Sequence, residues 1–67
     1  MMDADERTET IADLFYIMEY ARNIRTRMID GQEPSHAHAG MAAQMANLSV
    51  RVRDRMRGKA NWTGDAE

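Results

Sequence analysis

The sequence predicts an all-α protein: an antiparallel two-helix hairpin that dimerises into a four-helix bundle. Three observations lead to this prediction. Apolar residues recur every three or four positions in two long stretches, which is the spacing of helices. Gly31 and Pro34 separate these stretches. The apolar arc of the first stretch is also wider than one neighbouring helix can cover.

The first predicted helix covers residues 4–30. Asp3 and Glu6 have the spacing of a capping box, which places the helix start near Ala4. Gly31 suits the position after a helix end, and Pro34 cannot continue a helix. The apolar residues at helical spacing are Ile11, Leu14, Phe15, Ile17, Met18, Ala21, Ile24, Met28 and Ile29. They span about 180° of the helix, whereas a surface helix needs an apolar stripe of only about 100°.

The second predicted helix covers residues 36–57. Ser35 is its expected N-cap, and Gly40 weakens its first turns, so that a firm helix could begin as late as Met41. One face carries apolar residues at helical spacing, namely Met41, Met45, Leu48, Val52 and Met56. Because the connection is only about four residues long, the helices fold back as a hairpin over residues 1–58, followed by a tail at 59–67.

Chain length favours association. A chain of 67 residues buries a small core, and this one has no cysteine for a disulfide or a thiolate zinc site. We therefore expect a homo-oligomer, with a dimer favoured. The predicted oligomer interface comprises Ile11, Leu14, Phe15, Met18, Ile24, Met28, Met45, Leu48 and Val52. Most of the seven methionines are expected to fill this core or to form an adaptable groove.

Composition argues against several classes of function. There is no apolar run long enough to span a membrane and no signal-peptide pattern, so a cytoplasmic protein without membrane contact is expected. The net charge of −2 does not by itself indicate nucleic-acid binding. We find no nucleophile with a base at a recognisable spacing and no phosphate-binding loop, so neither an enzyme nor a cofactor is predicted. His36 and His38 point apart on a helix, so no metal site is predicted.

Two groups of side chains favour a protein partner. Arg22 and Arg25 lie inside the apolar arc of the first helix, where each needs an anionic partner or must reach solvent. Tyr16 and Tyr20 lie one turn apart at the edge of the polar face. The predicted protein-interaction residues are Tyr16, Tyr20, Arg22, Arg25, Arg27 and Trp62. The leading hypothesis is a small adaptor, regulator or inhibitor, of the kind found in bacteria and phages, that self-associates and binds another macromolecule.

Two alternatives remain. The arginines of the second helix could bind nucleic acid, through Arg51, Arg53, Arg55, Arg57 and Lys59. Against this, Arg51 and Arg55 are expected to flank one side of the apolar face and Arg53 and Arg57 the other, close to the acidic start of the first helix. Ion pairing therefore competes with nucleic-acid binding. The other alternative is an oligomer that binds an anionic small molecule at a subunit interface around Arg22 and Arg25.

Overall fold

The computed structural model describes residues 2–59, which form two helices packed side by side as a hairpin. Helix α1 runs Ala4–Ile29 and helix α2 runs His36–Lys59. The prediction of an all-helical hairpin is confirmed for these residues. Pairing of two hairpins into a bundle stays a prediction.

The start of α1 is fixed by the capping box. The Asp3 carboxylate accepts a hydrogen bond from the backbone N–H of Glu6 at 2.8 Å, and the Glu6 carboxylate accepts one from the backbone N–H of Asp3 at 3.2 Å. Both bonds satisfy backbone donors that the first turn of a helix leaves without a partner inside the helix.

The turn between the helices is held by backbone and side-chain bonds. Gly31 adopts φ +73°, and its N–H donates to the carbonyl of Met28 at 3.1 Å. Arg27 donates from Nε to the carbonyl of Glu33 at 2.6 Å. Glycine reaches this left-handed conformation without the steric penalty that a Cβ brings, so the chain can reverse here within a few residues.

Helix α2 begins beside Ser35, as its sequence predicts. The Ser35 hydroxyl accepts from the backbone N–H of His38 at 3.4 Å and lies 2.6 Å from Nδ1 of the same residue. The helix is continuous through Gly40, so it begins at its first turn and not at Met41.

The contact between the helices follows a heptad pattern on both sides. Most positions that are buried or half-buried alternate in steps of three and four, as in a coiled coil. These positions are Thr10, Asp13, Ile17, Tyr20, Ile24 and Arg27 on α1, and His38, Met41, Met45, Leu48, Val52 and Arg55 on α2. We call these two rows the seam. Among residues 2–58, Val52 is the one apolar side chain that is buried, at 8% exposure. A single hairpin therefore has a thin core.

Candidate protein interaction surface

The rotation of α1 about its axis decides which side chains are free to bind a partner. Thr10, Asp13 and Ile17 face α2. Large apolar side chains on the other side of α1 face away from it. Ile11 is 67% exposed, Phe15 is 56% exposed and Met18 is 65% exposed. Side chains of this size normally lie inside a protein, and a contiguous exposed group of them indicates a binding surface.

A second pair of heptad rows lies next to the seam. On α1 this row consists of Leu14, Met18, Ala21, Arg25 and Met28, and on α2 it consists of Ala39, Ala42, Ala46, Ser49, Arg53 and Met56. Leu14 shares a shallow groove with Ser49, Arg53 and Met56. Met28 shares another with Ala39 and Ala42. The two rows therefore lie on the same side of the hairpin, and we call them together the apolar face.

The two rows of the apolar face differ in size. The α1 row carries leucine, methionine and arginine side chains, whereas most of the α2 row is alanine or serine. Small side chains let another helix approach closely, and large ones fill the space that small ones leave. The apolar face is thus suited to packing large residues of one surface against small residues of another.

A third row of α1 lies at the outer edge of the apolar face. Ile11, Phe15, Arg22 and Ile29 form this row, which we call the outer stripe. All four residues are exposed, with Ile29 at 66%. At about 100° per residue, the outer stripe is centred roughly 160° from the seam, so α2 does not reach it.

The opposite side of the hairpin is polar. Glu9, Arg51 and Asp54 line a shallow groove there. The rings of Tyr16 and Tyr20, which belong to the predicted protein-interaction set, stack at a centroid separation of 6.2 Å. Tyr16 is exposed and Tyr20 is half-buried at the edge of the seam. The tyrosines therefore lie on a different side of the hairpin from the apolar face.

A polar cluster closes one end of the seam. Arg55 donates from Nη2 to the Asp13 carboxylate at 2.5 Å and from Nη1 to the Thr10 hydroxyl at 2.6 Å. Asp13 also lies 3.7 Å from Nη2 of Arg51, and Glu9 lies 3.9 Å from Arg55. The Asp13 and Arg55 side chains are only 8% and 14% exposed. The expected pairing with the acidic start of α1 is present at these residues.

The position of Arg55 corrects one expectation. Sequence spacing placed it beside the predicted apolar row of α2 that contains Val52, in a flanking position like that of Arg51. In the structure it lies in the seam itself. The reason is the Asp13 carboxylate, which occupies the facing position on α1 and binds the guanidinium. The heptad spacing of Thr10, Asp13 and Ile17 was the signal for this arrangement, and apolar periodicity alone does not detect it.

The remaining predicted arginines have different surroundings. Arg22 lies 3.5 Å from the Glu19 carboxylate in an exposed pair. Arg25 is exposed and makes no ion pair with any residue in the described range. Arg27 binds the turn. On α2, Arg53 pairs with its neighbour Asp54 at 3.0 Å. Arg57 is exposed near the end of that helix.

Some predicted residues fall elsewhere. Trp62 and the side chain of Lys59 lie outside the described residues. Met41 and Met45 are half-buried in the seam, whereas Met18, Met28 and Met56 are exposed, so in one hairpin only part of the methionine set is in a core. Within residues 2–59, neither helix combines the length and hydrophobicity needed to span a bilayer.

Comparison of the chain with protein-family models, with curated proteins and with solved structures gives no match. The function is therefore argued from the geometry of the hairpin.

Proposed function

We propose that this chain is a small, non-enzymatic protein-interaction module, an adaptor, regulator or inhibitor, that pairs with a second copy and binds another macromolecule through α1. The observation that supports this proposal is the exposure of large apolar side chains along α1, from Ile11 to Ile29, against a seam in which only Val52 is buried and apolar. One hairpin leaves these side chains in water, so covering them is the main way in which the folded chain can gain further stability.

The second copy covers the apolar face. Its small α2 row accepts the large α1 row of the other hairpin, so the dimer axis runs along the helices and α1 of each copy lies over α2 of the other. The bond between Asp13 and Arg55 places these two residues at the same height along the helix axes. A twofold axis parallel to the helices keeps these heights, so the same residue levels face each other between α1 of one copy and α2 of the other. At those levels Met18 meets Ser49 of the second copy, and Met28 meets Ala39 of the second copy.

This orientation packs better than the alternative. If α1 of one copy lay over α1 of the other, large side chains would meet large ones, and the alanine rows of the two α2 helices would face each other across a gap. In the proposed orientation large side chains meet small ones where Met18 faces Ser49 and Met28 faces Ala39 of the second copy. All adjacent helices in the resulting four-helix bundle are antiparallel, which is the usual arrangement for hairpins with short connections.

Disulfide trapping tests both the dimer and its orientation, because the natural chain has no cysteine. Met18→Cys and Ser49→Cys are prepared separately, one of them with a tag, and are mixed under mild oxidation. A crosslinked product that contains one copy of each is expected. Asn23→Cys, paired with Ser49→Cys, is the control, since Asn23 is exposed on the polar side of α1 and is expected to remain uncrosslinked.

Two results would contradict the proposal. A monomer in sedimentation equilibrium at about 1 mM would exclude the dimer. Efficient crosslinking of Met18→Cys to itself, without the mixed product, would show that α1 lies over α1 and would refute the orientation.

Nucleic-acid binding is less well supported. Three of the arginines that it needs are occupied, since Arg51 and Arg55 pair with Asp13, and Arg53 pairs with Asp54. Binding phosphates through Arg55 would remove the shorter of the two ion pairs of the buried Asp13 carboxylate, which is costly.

A further inference from the structure

The outer stripe of α1 remains uncovered in the proposed bundle, and its chemistry indicates what binds it. In a four-helix bundle each helix contacts two neighbours at about 90° to each other. For α1 these are α2 of its own hairpin and α2 of the second copy, which cover the seam and the apolar face. Ile11, Phe15 and Ile29 lie beyond both contacts.

Positive charge surrounds these apolar residues. Arg22 belongs to the stripe, and Arg7 lies beside it near the start of the helix. Arg7 makes no ion pair within residues 2–59, and Arg22 lies 3.5 Å from the carboxylate of half-buried Glu19. An occupant of the stripe that covers these guanidinium groups removes water from them, so carboxylates along its edge would stabilise the complex.

The spacing of the stripe indicates a helical occupant. From Ile11 the stripe steps by four residues to Phe15 and then by seven to Arg22 and by seven to Ile29, which is one row of the heptad pattern that a partner helix reads in a coiled coil. At 1.5 Å per residue it is about 27 Å long, or five turns. A second copy of this chain is a poor occupant, because its own outer stripe carries Arg22 and offers no carboxylate.

We propose that the outer stripe binds an amphipathic helix of a partner protein whose apolar side is flanked by glutamate or aspartate. This inference rests on the proposed function, because it names the partner class of that interaction module. The net charge of the chain is −2, so a preference for an acidic helix cannot come from overall attraction and must come from the local arginines.

Two designed peptides test the proposal. Each is a helix of about 21 residues with the same leucine stripe, and the flanking positions are glutamate in one and lysine in the other. Both are labelled with a fluorophore and titrated with the full chain in anisotropy measurements. The acidic peptide is expected to bind about tenfold more tightly than the basic peptide, and more weakly as salt is raised.

Variants of the stripe identify the surface. Phe15→Ala is expected to weaken binding of the acidic peptide about 30-fold, the effect of losing an aromatic anchor. Arg22→Glu is expected to reverse or abolish the preference between the two peptides. Asn23→Asp is the matched control, since it adds an acidic group one residue away on the polar side of the helix and is expected to leave the preference unchanged.

Sedimentation equilibrium on the same samples separates this inference from the dimer. Wild type, Phe15→Ala and Arg22→Glu are all expected to remain dimers. A dimer that binds neither peptide, or both equally, would refute the acidic-helix assignment while the bundle stands. Tighter binding to an RNA or DNA of about 20 nucleotides than to the acidic peptide would also refute it. A monomeric wild-type chain would refute the bundle. The comparison of the two peptides would still show whether the outer stripe prefers an acidic helix.

Discussion

Shortening Met18 is expected to weaken the pairing of two copies. Complete burial of a methionine side chain stabilises by about 1.5–3 kcal/mol. Met18 is 65% exposed in the hairpin, so covering it contributes about 1–2 kcal/mol. Met18→Ala keeps one side-chain carbon and therefore loses about 1 kcal/mol per copy. The twofold axis doubles this loss to about 2 kcal/mol, which raises the dimer Kd about 30-fold.

Sedimentation equilibrium over concentrations from about 1 μM to about 1 mM measures this change directly. Helical circular dichroism at the highest concentration checks that the hairpin is still folded. Asn23→Ala is the control, because it shortens an exposed side chain on the polar side of the same helix. Its dimer Kd is expected to stay within about twofold of wild type.

The reasoning fails if Met18→Ala and Asn23→Ala have the same dimer Kd as wild type. That result would mean that Met18 stays in water in the dimer, and the apolar face would not be the surface that the second copy covers.

Three further predictions concern the free energy of unfolding, measured by urea denaturation at one fixed protein concentration. Arg55→Ala leaves the buried Asp13 carboxylate with only the more distant Arg51 and is expected to lower this free energy by about 3 kcal/mol. Gly31→Ala places a Cβ at φ +73° and is expected to cost about 1 kcal/mol, whereas Gly40→Ala lies in a helix with open space around it and is expected to add about 0.5–1 kcal/mol. Asp3→Ala removes the capping box and is expected to cost about 1 kcal/mol.

Each of these predictions has an outcome that contradicts it. Arg53→Ala removes an exposed pair with Asp54 and is expected to change stability by less than about 0.5 kcal/mol, so an equal effect of Arg53→Ala and Arg55→Ala would argue against a buried cluster. A stabilising Gly31→Ala would contradict the turn geometry. An unchanged Asp3→Ala would show that the first turn of α1 contributes nothing to stability.

Local signals in the sequence predict most of the fold. Asp3 with Glu6 marks the start of α1, Gly31 with Pro34 marks the turn, and Ser35 marks the start of α2. Each acts through bonds to residues a few positions away, so a single sequence contains the information. The antiparallel arrangement then follows from the short connection.

The rotation of α1 could not be predicted from its apolar pattern. The arc is wide enough for α2 to pack on more than one row, and the outer stripe, with Ile11, Phe15 and Ile29, faces away from α2. The polar cluster decides the choice, because Asp13 in the seam gives Arg55 a carboxylate that the other rotation would remove. Such a pairing depends on two residues that are far apart in sequence, which periodicity within one helix does not report.

The turn has a consequence for how copies can exchange. Gly31 in its left-handed conformation and Pro34 together prevent the two helices from merging into one continuous rod, and Arg27 ties the end of α1 to the carbonyl of Glu33. A domain-swapped dimer, in which an opened chain lends its second helix to another copy, is therefore disfavoured. Subunits of the proposed dimer are therefore expected to exchange as intact hairpins.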